Sequence, residues 1–187
     1  METLTESYKT LCNKHNVNLI SINGENKYKI TFSCSNYNYD LSKFINFNLY
    51  KLLGELNLDL IEKIDVLPGL SENNKNILFL FKPLGQELGM LDKYLYITTQ
   101  QQRISNNKIE FASTDSEVSP KISDKYEKIY CHYSNLSILV DDIHNINVTY
   151  DFHIQLNEDL PKYMEHLIGY LMKKILYRFK MFIEKMD

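Results

Sequence analysis

The side chains with most capacity for chemistry are thinly spread along the chain. His153 and Asp151 share one face of an expected strand, the arrangement of an acid–base couple, but on a polar strand face they read more simply as a solvated pair. The five histidines are scattered, and no His, Cys and Glu stand together at metal-ligand spacing. Cys12, Cys34 and Cys131 are odd in number and far apart, which points to buried free thiols. Gly85-Gln86-Glu87-Leu88-Gly89 lacks the lysine and the strand-to-helix setting of a phosphate loop. Two glycosylation sequons, Asn135-Leu136-Ser137 and Asn147-Val148-Thr149, fall inside apparent strands and are read as chance. The tyrosines Tyr94, Tyr96, Tyr126, Tyr130, Tyr133 and Tyr150 can offer hydroxyls to a polar headgroup, although strand propensity accounts for most of them. These residues predict a binding protein, not an enzyme, with no cofactor and no metal.

The bulk composition narrows the partners. Lys and Arg number 21 against 24 Asp and Glu, and no stretch concentrates positive charge, so nucleic acid is not the expected partner. The longest apolar runs, such as Ile77–Phe81, are too short to span a bilayer. Met1-Glu2-Thr3-Leu4-Thr5-Glu6 has neither the basic nor the apolar region of a secretory signal, so the expected location is the cytoplasm. A chain of 187 residues fits one domain, 1–187, with volume to spare for a ligand.

The elements that must position any site follow from periodicity. Leu4, Tyr8, Leu11 and Cys12 stand at helical spacing and predict a short helix over Thr3–His15. Val17–Ile22 and Lys27–Cys34 alternate as strands around the turn at Gly24, a hairpin with Tyr28, Ile30 and Phe32 on one face. Asp40 is placed to cap a helix from Leu41 to about Leu56, with Gly54 near its end. Strands are then expected at Leu60–Leu67, closed by Pro68-Gly69, and at Asn76–Lys82, Lys93–Gln101, Lys108–Ser113, Glu127–Val140 and Ile146–Leu156, an antiparallel meander. Asp159 and Pro161 suit the start of a last helix running toward Asp187, with Met164, Leu167, Ile168, Leu171, Ile175, Phe179, Phe182 and Met186 on its apolar stripe. Such a helix must bury that stripe against the concave face of the sheet, an α+β arrangement.

Several segments carry a resemblance over nearly the whole chain. They are Leu58–Leu67 leading into the meander, Phe81-Lys82-Pro83-Leu84, Leu91-Asp92-Lys93-Tyr94-Leu95-Tyr96, Ser119-Pro120, the strand around Lys128-Ile129-Tyr130, and Val148-Thr149-Tyr150 running on to Asp159-Leu160-Pro161-Lys162-Tyr163. In this order the chain resembles the START-like lipid-transfer domains, the helix-grip (START/Bet v 1-like) fold, in which a curved antiparallel sheet wraps a long C-terminal helix. It departs from the family pattern where Leu91 replaces the usual Arg, where Leu58-Asp59 stands for Trp-Asp, and where no Gly precedes Leu160-Pro161.

The resemblance implies an apolar pocket between the sheet and the last helix, holding a phospholipid, sterol or fatty acid. Phase places Ile146, Val148, Tyr150 and Phe152 inward and Asn147, Thr149, Asp151, His153 and Gln155 outward. Met164, Leu167, Ile168, Leu171 and Ile175 would close the pocket from the helix, and Tyr96 and Tyr133 would contribute hydroxyls. The same residues also suit a dry, filled core, which is the commoner role of an apolar helical stripe. The loop Pro83–Leu91, with Leu84, Leu88 and Met90 beside two glycines, is the implied gate and transient contact with a membrane surface; its alternative is a packed satellite cluster. The expected function is therefore lipid binding or transfer. The alternatives are a protein-interaction or chaperone-cofactor module of the same fold with a filled interior and, third, a cyclase-like enzyme.

Overall fold

The computed structural model describes residues 6–24, 26–83, 91–118, 120–156 and 164–186. The strands are β1 (Tyr8–Lys14), β2 (Val17–Ile22), β3 (Lys27–Ser35), β4 (Ile61–Ser71), β5 (Asn74–Phe81), β6 (Asp92–Ser105), β7 (Lys108–Asp115), β8 (Tyr126–Lys128), β9 (Tyr130–Asp142) and β10 (Asn145–Gln155). A 3-10 turn, Leu41–Phe44, and helix α1 (Asn48–Glu55) lie between β3 and β4, and helix α2 (Leu167–Lys185) follows β10. The sheet runs β1-β2-β3-β10-β9-β7-β6-β5-β4, with β8 attached to β6. The two expected hairpin strands form as read: Val17 faces Phe32, and the register continues to Ile22 opposite Lys27. Val17, Leu19, Tyr28, Ile30, Phe32 and Cys34 are buried on the inner face. The polar residues between them stay on the wet side, as alternation requires.

Four expectations are corrected. The segment read as a helix over Thr3–His15 is strand β1 from Tyr8, paired with β2. A bulge between Thr10 and Cys12 inserts Leu11, so two adjacent apolar residues imitate helical spacing where alternation breaks. The turn that follows holds His15 at φ 58° and Asn16 at φ 56°, the left-handed pair that tight two-residue hairpins use.

The helix expected over Leu41–Leu56 is broken in two. Asp40 does cap its start, accepting from the Ser42 amide at 3.1 Å. Asn46 then donates to the Lys43 carbonyl at 2.9 Å and accepts from the Asn48 amide at 2.8 Å. This local bonding competes with the helical ladder and restarts the chain as α1.

Pro68-Gly69 does not close β4, which runs on to Ser71 with an irregularity beyond Pro68. An edge strand tolerates proline, whose missing donor faces away from the ladder. The single strand expected over Glu127–Val140 divides at Ile129, because Tyr126–Lys128 pairs parallel with Asp92–Tyr94 before the chain crosses to β7 and β10. The buried Ile129 marks the crossing, and its amide donates to the Tyr94 carbonyl at 2.7 Å.

Helix α2 has 19 residues, about 28 Å at the usual rise. Asp159, Pro161 and the family-like junction around them lie outside the described residues, as do Leu84, Leu88, Met90 and Ser119. Gly169 explains how closely α2 approaches the sheet. A Cβ there would lie 2.8 Å from two ring atoms of Tyr28, and that ring is itself buried against Phe152. No helix among the described residues is long and apolar enough to cross a membrane.

Candidate functional site

The inner face of the sheet is mostly apolar; its buried polar groups include Ser21 on β2, Lys93 on β6, paired with Glu127, and a line of hydroxyls. Thr99 on β6 lies opposite Ser113 on β7, and Ser113 lies opposite Ser134 on β9. All three are buried. Thr99 and Ser113 share a hydrogen bond of 2.9 Å, the cross-strand pairing that short hydroxyls favour. Two phenols meet this line. Tyr50, carried by α1, brings its hydroxyl near Ser113 and Thr99, and Tyr150, on β10, near Ser134. Burial pushes both phenols above their ordinary value, so they remain neutral. Cys131 beside them is pushed up to about 12 by burial, which leaves it a neutral thiol and not a nucleophile.

Above this line the sheet and helices enclose a small cavity. Its walls are Tyr50 and Leu53 from α1, Phe79 and Phe81 from β5, Leu95 and Ile97 from β6, Ser134 and Leu136 from β9, Tyr150 from β10, and Met172, Ile175 and Leu176 from α2. It measures about 30 Å³, room for one or two water molecules. Phe111, fully buried, supports the floor by meeting Phe47 and Tyr50 edge to face.

Of the residues expected to line a pocket, Tyr150 and Ile175 do so. Ile146, Val148 and Phe152 are inward and buried as their phase requires, but they pack in the core beside the cavity. Ile168 and Leu171 are buried in that same core, Leu167 is half-buried at the start of α2, and Met164, half-buried, lies in the turn before the helix and not on its stripe as expected. Tyr96 is buried but occupies the other face of β6 from Leu95 and Ile97, paired with Leu78. Tyr133 is 38% exposed and lies edge-on to His153. Both miss the cavity because they are one residue out of phase with its lining. The Asp151 carboxylate pairs with Lys29 at 3.2 Å.

Helix α2 is tied down by polar groups concentrated in its C-terminal half. Asn36 donates to the carbonyls of Ile183 at 2.7 Å and Met186 at 2.9 Å. The Lys180 ammonium, almost fully buried, pairs with Glu184 and donates to the Ser33 carbonyl at 2.7 Å. That carbonyl lies just past the end of the β2–β3 pairing, at Val17 and Phe32. Arg178 grips Asp59 through both terminal nitrogens, and Lys174 reaches the same carboxylate at 3.3 Å. Hydrogen bonds from Arg178 hold the Asp59 carboxyl well below the usual carboxylate range. Arg178 also donates to Asn57, whose buried amide donates to the Leu53 carbonyl at 2.8 Å and so joins α1 to α2.

No family model matches the sequence, and no curated protein does. Solved structures do match in shape. The lipid transfer and protein localization domain of human StarD13 superposes with a TM-score of 0.74 at 12% identity, covering 97% of this chain and 91% of that one. Human StAR-related lipid transfer protein 5 gives 0.72 at 10% identity, covering 98% and 86%. A STAR-related lipid transfer protein fragment from Xanthomonas axonopodis gives 0.71 at 8% identity, covering 95% and 99%. At such identities the likeness speaks for architecture alone, and with the strand order and the closing helix it shows that this chain has the helix-grip fold seen in START domains.

Proposed function

We propose that the chain binds a lipid-sized apolar ligand between the sheet and α2, without catalysing a reaction on it. The observation that carries this reading is the cavity itself, closed on the helix side by Met172, Ile175 and Leu176 and placed where a helix-grip fold leaves interior space. Similarity in shape to proteins named for lipid transfer supports it. Pockets for small ligands usually run to about 300–1,000 Å³, so binding requires the three α2 side chains to withdraw. Methionine adapts readily to a flexible chain. Among the described residues the first turns of α2 carry the weaker polar ties, so on this reading they move, while Ile175 and Leu176, between Lys174 and Arg178, withdraw by changing rotamer. On this reading the loop Pro83–Leu91 with Leu84, Leu88 and Met90 remains a proposed gate and membrane contact.

The small volume favours a second reading, in which the interior is filled for good and the surface binds a protein. One experiment separates them. Purified protein is extracted under denaturing conditions and its lipids identified by mass spectrometry, alongside an Ile175→Trp variant that fills the cavity. A stoichiometric lipid present in the wild type and lost from the folded variant is the expected result. No lipid in either, with no uptake from mixed liposomes, would leave the second reading standing.

A further inference from the structure

The polar end of the cavity is built from hydroxyls alone. None of its lining residues is an Asp, Glu, Lys, Arg or His, and its polar side chains are Tyr50, Ser134 and Tyr150. Behind them Thr99 and Ser113 complete a network whose members sit on four different strands and a helix. A hydroxyl both donates and accepts, so this network can turn one donor or one acceptor toward a ligand. It cannot neutralise a charge. An ionised headgroup drawn into this site would lose its hydration and meet neutral dipoles, the buried Lys93 beyond Phe81 and Leu95 being already paired with Glu127, a large penalty without a matching charge.

We infer that the occupant is a neutral amphiphile whose single polar group, a hydroxyl or a carbonyl, docks on the Tyr50–Ser134–Tyr150 hydroxyls while its apolar body displaces Met172, Ile175 and Leu176. This rests on the ligand-binding reading above and names its chemistry. A carboxylate or a phosphate-bearing headgroup inside the cavity is excluded. The row Thr99–Ser113–Ser134 also gives the discrimination a rigid base, because each member is fixed by strand register and not by a loop.

The test uses three probes with the same saturated chain: hexadecanol, palmitate and hexadecylphosphocholine, delivered from cyclodextrin at about pH 8, where the free carboxyl is ionised. Binding is read by native mass spectrometry and by competition. Hexadecanol is expected to bind at least about tenfold more tightly than either charged probe. Tyr150→Phe and Ser134→Ala, each removing one oxygen, should each weaken hexadecanol about tenfold, the effect of one lost hydrogen bond, with palmitate unchanged. Charged probes that bind as well as the alcohol would overturn the assignment and leave ligand binding intact. An alcohol preference untouched by both variants would overturn it too. If none of the three binds, the ligand-binding reading falls and this inference with it.

Discussion

The two halves of α2 are held to the sheet by different physics. From Lys174 onward the helix is pinned by directional groups: Asp59 on Arg178 and Lys174, Lys180 on Ser33, and Asn36 on the last carbonyls. Before Met172 it rests on shape, with Gly169 pressed against the Tyr28 ring and the Tyr28 hydroxyl donating to the Glu165 carbonyl at 3.2 Å. The Tyr170 hydroxyl adds only a long contact of 3.4 Å to the Leu11 carbonyl. The cavity lies where these regimes meet, at Met172, Ile175 and Leu176. A helix with strong polar ties at one end and packing plus a few long hydrogen bonds at the other can loosen over the cavity without losing its place on the fold.

The sharpest way to break this contrast is to unfasten the pinned end. Asn36→Leu removes both bonds to the end of α2 and leaves buried carbonyls without donors, and it should cost about 3 kcal/mol in denaturant unfolding. Gly169→Ala comes next. Alanine is the better helix former by about 1 kcal/mol, yet its methyl would collide with a ring that has nowhere to go. The net result should be a loss of about 1–2 kcal/mol; a gain in stability would show that the packed end is looser than described. Tyr28→Phe should cost about 1 kcal/mol and speed amide exchange in the first turns of α2 while leaving residues 176–185 protected.

Asp59→Asn is the mildest change, because the Asp59 side chain is 51% exposed and solvent screens the pair to below about 1 kcal/mol. Its sign with pH is nevertheless defined. Arg178 lowers the folded-state pKa, so the unfolded chain takes up the proton first. The contribution is whole above the ordinary carboxyl range near about pH 4 and shrinks as the pH falls below it toward the depressed value. The wild type should therefore lose its margin over Asp59→Asn only in acid, as followed by thermal melts across pH.

What could be read from the sequence depended on whether one local period governed a segment. The β2–β3 hairpin was legible from the turn at Gly24 and the strict alternation of β3, and the phase of β10 because apolar and polar residues alternate along it. β1 was not, since its bulge at Leu11 makes a strand look helical. Nor was the break before α1, where a single side chain, Asn46, outcompetes the ladder. The apolar stripe of α2 was visible, but Ile168 and Leu171 serve the core, and Met172, Ile175 and Leu176 face the cavity. Periodicity alone cannot say which edge of a wide stripe meets a void. The hydroxyl row had a signal of its own, since Thr99, Ser113 and Ser134 each extend an apolar alternation at an inward position. Their meeting depends on the register of three strands, which no single segment encodes.

An apolar ligand held between the sheet and α2 should be reachable by a photolabel of the same shape. A diazirine-bearing long-chain alcohol, photolysed on the protein and mapped by peptide mass spectrometry, tests it most directly. Adducts are expected on Tyr50, Leu136, Tyr150 and Met172, absent from Tyr133 on the outer face and competed away by unlabelled alcohol. Labelling confined to surface residues such as Tyr133, or to Met181 and Phe182 on the outer groove of α2, would contradict it.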